Sequence, residues 1–443
     1  MNALQQTRPA ERLAESTRMT EGRYLDALLT DMDRHIRPDL STDRARFLYQ
    51  AVRRVLVRFI AEGAHRPPFA ETGLSGAPDW SGMDPKAAIR EEGALLDAEL
   101  AWGDARADRI DSAADTAQIT PHAMQQALRH LGYPGAAVET MRVIVGGRSK
   151  QTMLLRANGC GDLPRDLVVR RDLLVGSLGT SVVNEFALLQ ALRAHGVDVP
   201  QVYRLETDPA VLGTPFLLLR AVPGEATGQI TVAPPSPAKV LAAARALAGV
   251  HRVPVLVMQP LLAHLGVPRT RAQTAADIAS WQDSWLAQAR APSPAVDAAF
   301  RYLSAHAGSV EEQPCFVHGD YSFHNLLFDG NRLSAVLDWE LAHIGHAAED
   351  LGYIKQAAQA VVPWPDFMAA YHGAGGPPIP LTALRFYGLL GTVGLLMKIC
   401  IARRLFEEGK TDDILKADVA CFWMPRIVQK ISREIREIAA DGE

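Results

Sequence analysis

Residues 318–340 read HGDYSFHNLLFDGNRLSAVLDWE, and no other stretch constrains the fold as tightly. Two apolar runs flank the turn residues FDGN, so the segment reads as a short hairpin whose second strand, RLSAVLD, ends on Asp338. Asn325 stands just before the first run, and Asp320 stands five residues before Asn325. An amide and two carboxylates at these intervals suit chemistry on a phosphate-bound metal. Phosphoryl transfer from a nucleotide needs Mg²⁺ on the phosphates, a carboxylate that orients and deprotonates the attacking hydroxyl, and a cation on the phosphates. Magnesium takes hard oxygen ligands, commonly one or two carboxylates with amide, phosphate and water oxygens. The loop lets Asp320 face an acceptor while Asn325 and Asp338 face the metal.

Composition narrows the class. A chain of 443 residues exceeds one ordinary core, so two or three domains are expected. Hydrophobic residues make 48% and charged residues 22%, as in globular proteins, and the net charge of −4 offers no basic field for nucleic acid. Cys160, Cys315, Cys400 and Cys421 are scattered with no CxxC spacing, which indicates neither a zinc site nor a disulfide framework. The polar N-terminus lacks the apolar core of a signal peptide. The apolar stretch FYGLLGTVGLLMKICIARRL contains Lys398 and reads as a buried helix rather than a membrane span. A cytoplasmic location without membrane or nucleic-acid partners is the expectation.

The hydrophobic period changes along the chain. Residues 24–62 and 85–104 carry apolar residues at helical spacing, and DARADRIDSAADTAQ reads as a linker. Residues 1–117 are therefore expected to form a small all-helical unit, a candidate for dimerisation or for capping the acceptor site. Thr120 and Pro121 signal a new helix. Strand patterns follow: MRVIVGGRSKQTMLLRA as a hairpin with GGRS at its turn, LPRDLVVRRD, then VYRLETD and PFLLLRAVPG around the helix SVVNEFALLQALRAHG. From Pro237 the chain reads mostly as helix. The expected fold class is α+β and bilobal: an N-lobe over 118–222, with a small sheet and one helix, and a larger helical C-lobe over 223–443.

The stretch VHGDYSFHNLLFDGNRLSAVLDWELAHIGHAAEDLGY resembles the aminoglycoside phosphotransferase-like, or choline-kinase-like, branch of the kinase fold. Within that group it is most similar to phosphotransferase domains that also occur fused to acyl-CoA dehydrogenases. The resemblance covers roughly residues 119–430. It implies an Mg-ATP-dependent kinase of small molecules, with Asp320 as the catalytic carboxylate and Asn325 and Asp338 as Mg²⁺ ligands. His318 and Asp350 would brace the loop, and Glu340 would reach the metal through water or simply be solvated. His324 would face the acceptor or pack within the loop. In the N-lobe, Gly146, Gly147, Arg148 and Ser149 fit the turn that closes over the phosphates, though such a turn alone is a weak signal. Arg170 stands where the wider family has Lys, paired with Glu185 on the following helix; the plain alternative is a surface pair. Backbone from Arg220 to Val222 would meet adenine, and His251 would be structural. EDLGY follows DWE too closely to leave the activation segment of a protein kinase.

The acceptor is less legible. Between Lys355 and Phe406 the only acid is Asp366, against Lys355, Arg385, Lys398, Arg403 and Arg404. Aminoglycosides are polycations and want an acidic site, so a neutral or anionic hydroxylated molecule, a hydroxy acid or hydroxyacyl-CoA, fits better. Antibiotic phosphorylation is the alternative. A catalytically silent nucleotide-binding scaffold is another, supported only by Arg170 in place of Lys. Phe386, Tyr387 and Met397 could line an apolar acceptor site or belong to the core.

Overall fold

The computed structural model describes residues 82–104, 119–144, 150–172, 181–228, 232–262, 270–288, 293–309, 313–407 and 423–440, together with Tyr49 and Val52. The chain divides into two compact units. One comprises Met1–Asp111, Ala275–His306 and Thr392–Glu443; the other comprises Ser112–Thr274 and Ala307–Gly391. The helix patterns at 24–62, the linker after Asp104 and the GGRS turn lie outside the described residues, Tyr49 and Val52 excepted.

In the first unit, helix Pro85–Asp104 packs against helices Pro294–His306 and Met424–Ala440. Ile427, Ile431, Ile435 and Ile438 bury one face of the last helix at three-and-four spacing. Its Ser432 hydroxyl donates to the Ile89 carbonyl at 3.2 Å. Glu92 caps the start of helix Pro294–His306 from outside: the Ser293 hydroxyl donates to it at 2.5 Å and the Ala295 N–H at 2.7 Å. Burial pushes the Glu92 carboxyl up to about 7, against the pull of those two hydrogen bonds. An unfolded Glu titrates near ~4.3, so between there and about 7 the folded chain binds the proton more tightly and stability falls as pH rises. Glu92→Gln keeps the shape and removes the titration. The variant is expected to gain about 1–2 kcal/mol over wild type at pH 8 relative to pH 5, read from urea midpoints. Parallel midpoints at both pH values would contradict this.

The second unit opens with helix Pro121–His130, where Thr120 Oγ accepts the Ala123 N–H at 3.1 Å. A five-stranded antiparallel sheet follows, built from β1 (Ala137–Ile144), β2 (Lys150–Asn158), β3 (Asp166–Asp172), β4 (Val202–Glu206) and β5 (Phe216–Arg220). Its spatial order is β1-β2-β3-β5-β4. Strand alternation gives the sheet two apolar faces. Met153, Leu155, Leu167, Val169 and Leu218 pack on Met124 and Leu128 of the first helix. Leu217 and Leu219 face Leu188, Leu189 and Leu192 of helix Val182–Ala194. Each such side chain contributes about 1.5–3 kcal/mol when fully buried.

Beyond β5 lies the helical lobe, with helices Pro237–His251, Ala348–Gln359 and Trp364–Gly373. Five short strands interrupt it: β6 (Glu225–Ala226), β7 (Pro314–Val317), β8 (Leu326–Asp329), β9 (Arg332–Val336) and β10 (His343–His346). They form a β6-β8-β9 sheet and a β10-β7 pair. The small sheet with one helix followed by a helical lobe is the bilobal α+β pattern read from the sequence. Helix Leu381–Glu407 is long and apolar enough to cross a bilayer by length and composition, yet most of its apolar stretch is buried, as in a core helix. Phe386 and Met397 belong to that buried side.

Candidate active site

The thirteen-residue interval between Asn325 and Asp338 is a hairpin. β8 and β9 pair antiparallel with Leu326 opposite Val336, and the Leu337 N–H donates to the Asn325 carbonyl at 2.8 Å. Residues just outside the two ends of a ladder must lie side by side, so the pairing sets the amide beside the carboxylate. Asp338 itself takes φ 64° and ψ 66°, and it is the one non-glycine residue with positive φ among those described. Asp is among the residue types that tolerate this left-handed geometry.

The loop before the hairpin is held from below. Gly319 has φ 79°, and a Cβ there would come within 2.3 Å of the Leu341 carbonyl oxygen, so only glycine fits. Asp350, fully buried, accepts the His318 N–H at 2.7 Å and the Gly319 N–H at 2.8 Å. His251 Nε2 adds a third contact at 3.1 Å, and its Nδ1 lies 2.7 Å from the Tyr371 hydroxyl. Burial alone would raise the Asp350 carboxyl; His251 and the backbone N–H groups outweigh it and hold it below the usual range. Glu349 accepts the His346 N–H at 2.8 Å and pairs with His343 at 3.0 Å. Both acids lie in the first turn of helix Ala348–Gln359, where the helix dipole favours negative charge.

His318 ties the loop to the end of β9. Its Nδ1 accepts the Asp320 N–H at 3.2 Å, and its Nε2 donates to the Leu337 carbonyl at 2.8 Å. Asn325 Nδ2 donates to the Asp320 carbonyl and to Asp320 Oδ2, each at 3.0 Å. That directs the amide oxygen of Asn325 away from Asp320, as a hard donor for a metal. His324 is one-third exposed, with Nε2 3.8 Å from Asp320 Oδ2 and Nδ1 2.5 Å from the Ser322 hydroxyl. It therefore faces Asp320, and burial holds its ring below the ordinary imidazole value.

Arg170 joins the two lobes. Its Nε donates to Glu185 at 2.9 Å and its Nη2 to Asp338 at 2.6 Å. With Glu185 buried, the surface-pair alternative is corrected: the pair is interior, because β3 alternation turns Arg170 toward helix Val182–Ala194. Arg171 turns to the opposite face and donates to Gln151 and to the Leu212 carbonyl, each at 2.6 Å. Burial works to raise the Asp338 carboxyl, but the Arg170 charge prevails and lowers it. Glu340 is half-buried and contributes its charge to the field around Arg170.

Gly146, Gly147, Arg148 and Ser149 lie outside the described residues. At the end of β5 the Arg220 N–H is taken by the Gln201 carbonyl at 2.8 Å and the Ala221 N–H by the Asp166 carbonyl at 3.3 Å. Val222 follows, half-buried. Sequence reasoning missed Tyr353, whose phenol is held well above its ordinary range by burial and then by the Asp320 carboxylate. The signal was present in EDLGY: three residues from Asp350 on a helix is the same face.

Residues 140–387, more than half of the chain, match the phosphotransferase enzyme family, APH. Over 265 residues the chain is 25% identical to acyl-CoA dehydrogenase family member 11 of Rattus norvegicus, covering 56% of this chain and 33% of that protein. The Homo sapiens protein of the same name is 28% identical over 177 residues, covering 39% and 22%. The chain thus spans about a third or less of the length of these curated relatives. Among solved structures, a macrolide 2′-phosphotransferase type I superposes with TM-score 0.51 at 18% identity, over 69% of this chain and 98% of that one. The macrolide 2′-phosphotransferase MphH of Brachybacterium faecium gives 0.50 at 20%, over 67% and 97%. Those two likenesses speak for the fold alone, and the family match carries the assignment: the chain belongs to the phosphotransferase enzyme family, on a kinase-like fold.

Proposed function

We propose that the chain moves the γ-phosphoryl group of Mg-bound ATP to a hydroxyl of a neutral or anionic small molecule, of the hydroxy acid or hydroxyacyl-CoA type. The observation that carries this reading is the convergence of Asp320, Asn325 and Asp338 around one hairpin, with Asn325 bonded to Asp320. Asp320 takes the proton of the acceptor hydroxyl as its oxygen attacks the γ-phosphorus and the bond to the bridging oxygen breaks, releasing ADP. One carboxylate and one amide oxygen, from Asp338 and Asn325, suit Mg²⁺ that arrives with a nucleotide rather than an all-protein cage. Bound there, the metal would neutralise charge on the phosphates. Arg170, steadied by Glu185, supplies the phosphate cation, and its fork can hold a phosphate and a carboxylate together. Gly146, Gly147, Arg148 and Ser149 are assigned to the phosphates, and the backbone from Arg220 to Val222 to adenine. His318 and Asp350 support the loop, and Glu340 tunes the cation.

The acceptor class is supported by the acid-poor stretch from Lys355 to Phe406 and by the acyl-CoA dehydrogenase names of the relatives. A three-part organisation at 1–117, 118–222 and 223–443, a cytoplasmic location and dimerisation through the N-terminal helical unit belong to the same proposal.

Thermal unfolding with and without Mg-ATP, in wild type and Asp338→Ala, tests the site. A ligand at ~100 times its dissociation constant adds about 2.7 kcal/mol. That corresponds to a rise of roughly 5–10 °C. The rise is expected in wild type, to depend on Mg²⁺, and to vanish in Asp338→Ala. No shift at millimolar Mg-ATP would favour the silent scaffold. ADP release with hydroxyacyl-CoAs, hydroxy acids and an aminoglycoside then separates the acceptor classes; turnover with the aminoglycoside alone would overturn the anionic reading.

A further inference from the structure

The side chains that hold Arg170 form a circuit around the end of β3, and it begins at a buried lysine. Lys150 opens β2 opposite Asp172, and Thr152 stands opposite Arg170. Directly paired residues share a face of a sheet, and so do residues two apart on one strand. Lys150, Arg170 and Asp172 therefore share one face. Lys150 is 3% exposed, with Nζ 3.1 Å from Asp172 Oδ1. A lysine so deeply buried needs a paired carboxylate.

Asp172 does more than pair. Its Oδ2 accepts the Ser181 hydroxyl at 2.6 Å and its Oδ1 accepts the Val182 N–H at 3.0 Å. Ser181 is the N-cap of helix Val182–Ala194, and its carbonyl accepts the Glu185 N–H at 3.3 Å. Asp172 thus fixes where the helix begins, and one turn on the helix presents Glu185. Glu185 accepts Arg170 Nε–H at 2.9 Å, while Arg170 Nη2 reaches Asp338 at 2.6 Å. The circuit leaves β3 at Asp172 and returns to it at Arg170. Charge adds to contact. Without Lys150, more of the Asp172 charge would be felt by a phosphate held at Arg170, roughly 7 Å along the strand.

We propose that Lys150 is a positioning residue for Arg170: paired with Asp172, it sets the start of helix Val182–Ala194, and so the place from which Glu185 aims the guanidinium at Asp338 and at the phosphates of the nucleotide. The inference rests on the reading of Arg170 as the phosphate cation.

The test uses the full chain and has two arms. The first needs no nucleotide. The Arg170 Nε–H resonance, identified by its loss in Arg170→Lys, is followed by ¹⁵N NMR. It is expected to shift or broaden in Lys150→Met, which keeps an apolar stem without the charge, and to stay near its wild-type position in Lys150→Arg. An unchanged resonance in Lys150→Met would overturn the proposal. Should Lys150→Met not fold, Asp172→Asn replaces it with the same expectation. The second arm is a double-mutant cycle on the Mg-ATP dissociation constant, measured by titration calorimetry. Lys150→Met and Glu185→Gln are each expected to weaken binding about 10-fold, and the double variant to bind within about twofold of Glu185→Gln alone. Losses that multiply to roughly 100-fold would show that Lys150 does not act through Glu185, and would overturn the proposal. A destabilised fold alone would lower the urea midpoint without producing this coupling. An Arg170 resonance that responds to Lys150→Met in a chain that binds no Mg-ATP would count against the nucleotide reading of Arg170, and not against its placement by Lys150.

Discussion

Asp320→Ala is expected to lower turnover by about 10³-fold while Mg-ATP still raises the unfolding temperature. The expectation follows from where the carboxylate lies. It is 22% exposed, hydrogen-bonded to Asn325, and carried by a loop whose backbone is clamped by Asp350. Removing it takes away the proton acceptor and one support of Asn325, but it touches neither Arg170 nor the β8–β9 pairing. Nucleotide binding should therefore survive better than catalysis. Asp320→Asn, which keeps an acceptor for Asn325, should be as inactive and should bind Mg-ATP as the wild type does. Near-normal turnover in either variant would refute the assignment.

Asp350→Ala is expected to be the most destabilising single change in the second unit, by about 3–5 kcal/mol. The carboxylate is completely buried and serves His251 and the N–H groups of His318 and Gly319. Truncation leaves those donors without an acceptor in a dry site, and an unmet buried donor costs more than its hydrogen bond contributes. The urea midpoint measures the loss; a change under about 1 kcal/mol would show that the clamp is dispensable. pH gives an independent reading. The folded Asp350 carboxyl lies below its ordinary value, so its stabilisation is complete above the unfolded value near ~3.9 and declines as pH falls through the folded one. In Asp350→Asn that portion of the acid dependence should disappear.

Much of the site could be read before any coordinates. An Asn and an Asp at the two ends of a turn-punctuated apolar segment meet because an antiparallel ladder pairs its ends, whatever surrounds it. The left-handed glycine in HGD, acids at a helix start and Thr120 before Pro121 are local devices with local causes. The side of β3 on which Arg170 falls was legible only through resemblance, since VVRR offers two arginines and alternation sends them to opposite faces.

Other features depend on distance along the chain. Arg170 and Asp338 are 168 residues apart, and their 2.6 Å contact exists only because the sheet and the hairpin are brought together by the apolar faces they bury. Glu92 caps a helix that begins two hundred residues later, and the helical unit draws on three separate stretches of chain. Gly352 and Gly388, 36 residues apart, meet backbone to backbone because neither carries a Cβ. Short-range hydrogen-bond geometry and side-chain periodicity are written in consecutive residues, so the sequence alone determined the hairpin, the strand and helix faces and the kind of chemistry they hold. Which remote donor reaches which buried carboxylate is decided by packing, where many weak apolar contacts set the distances, and only the tertiary structure contains that information.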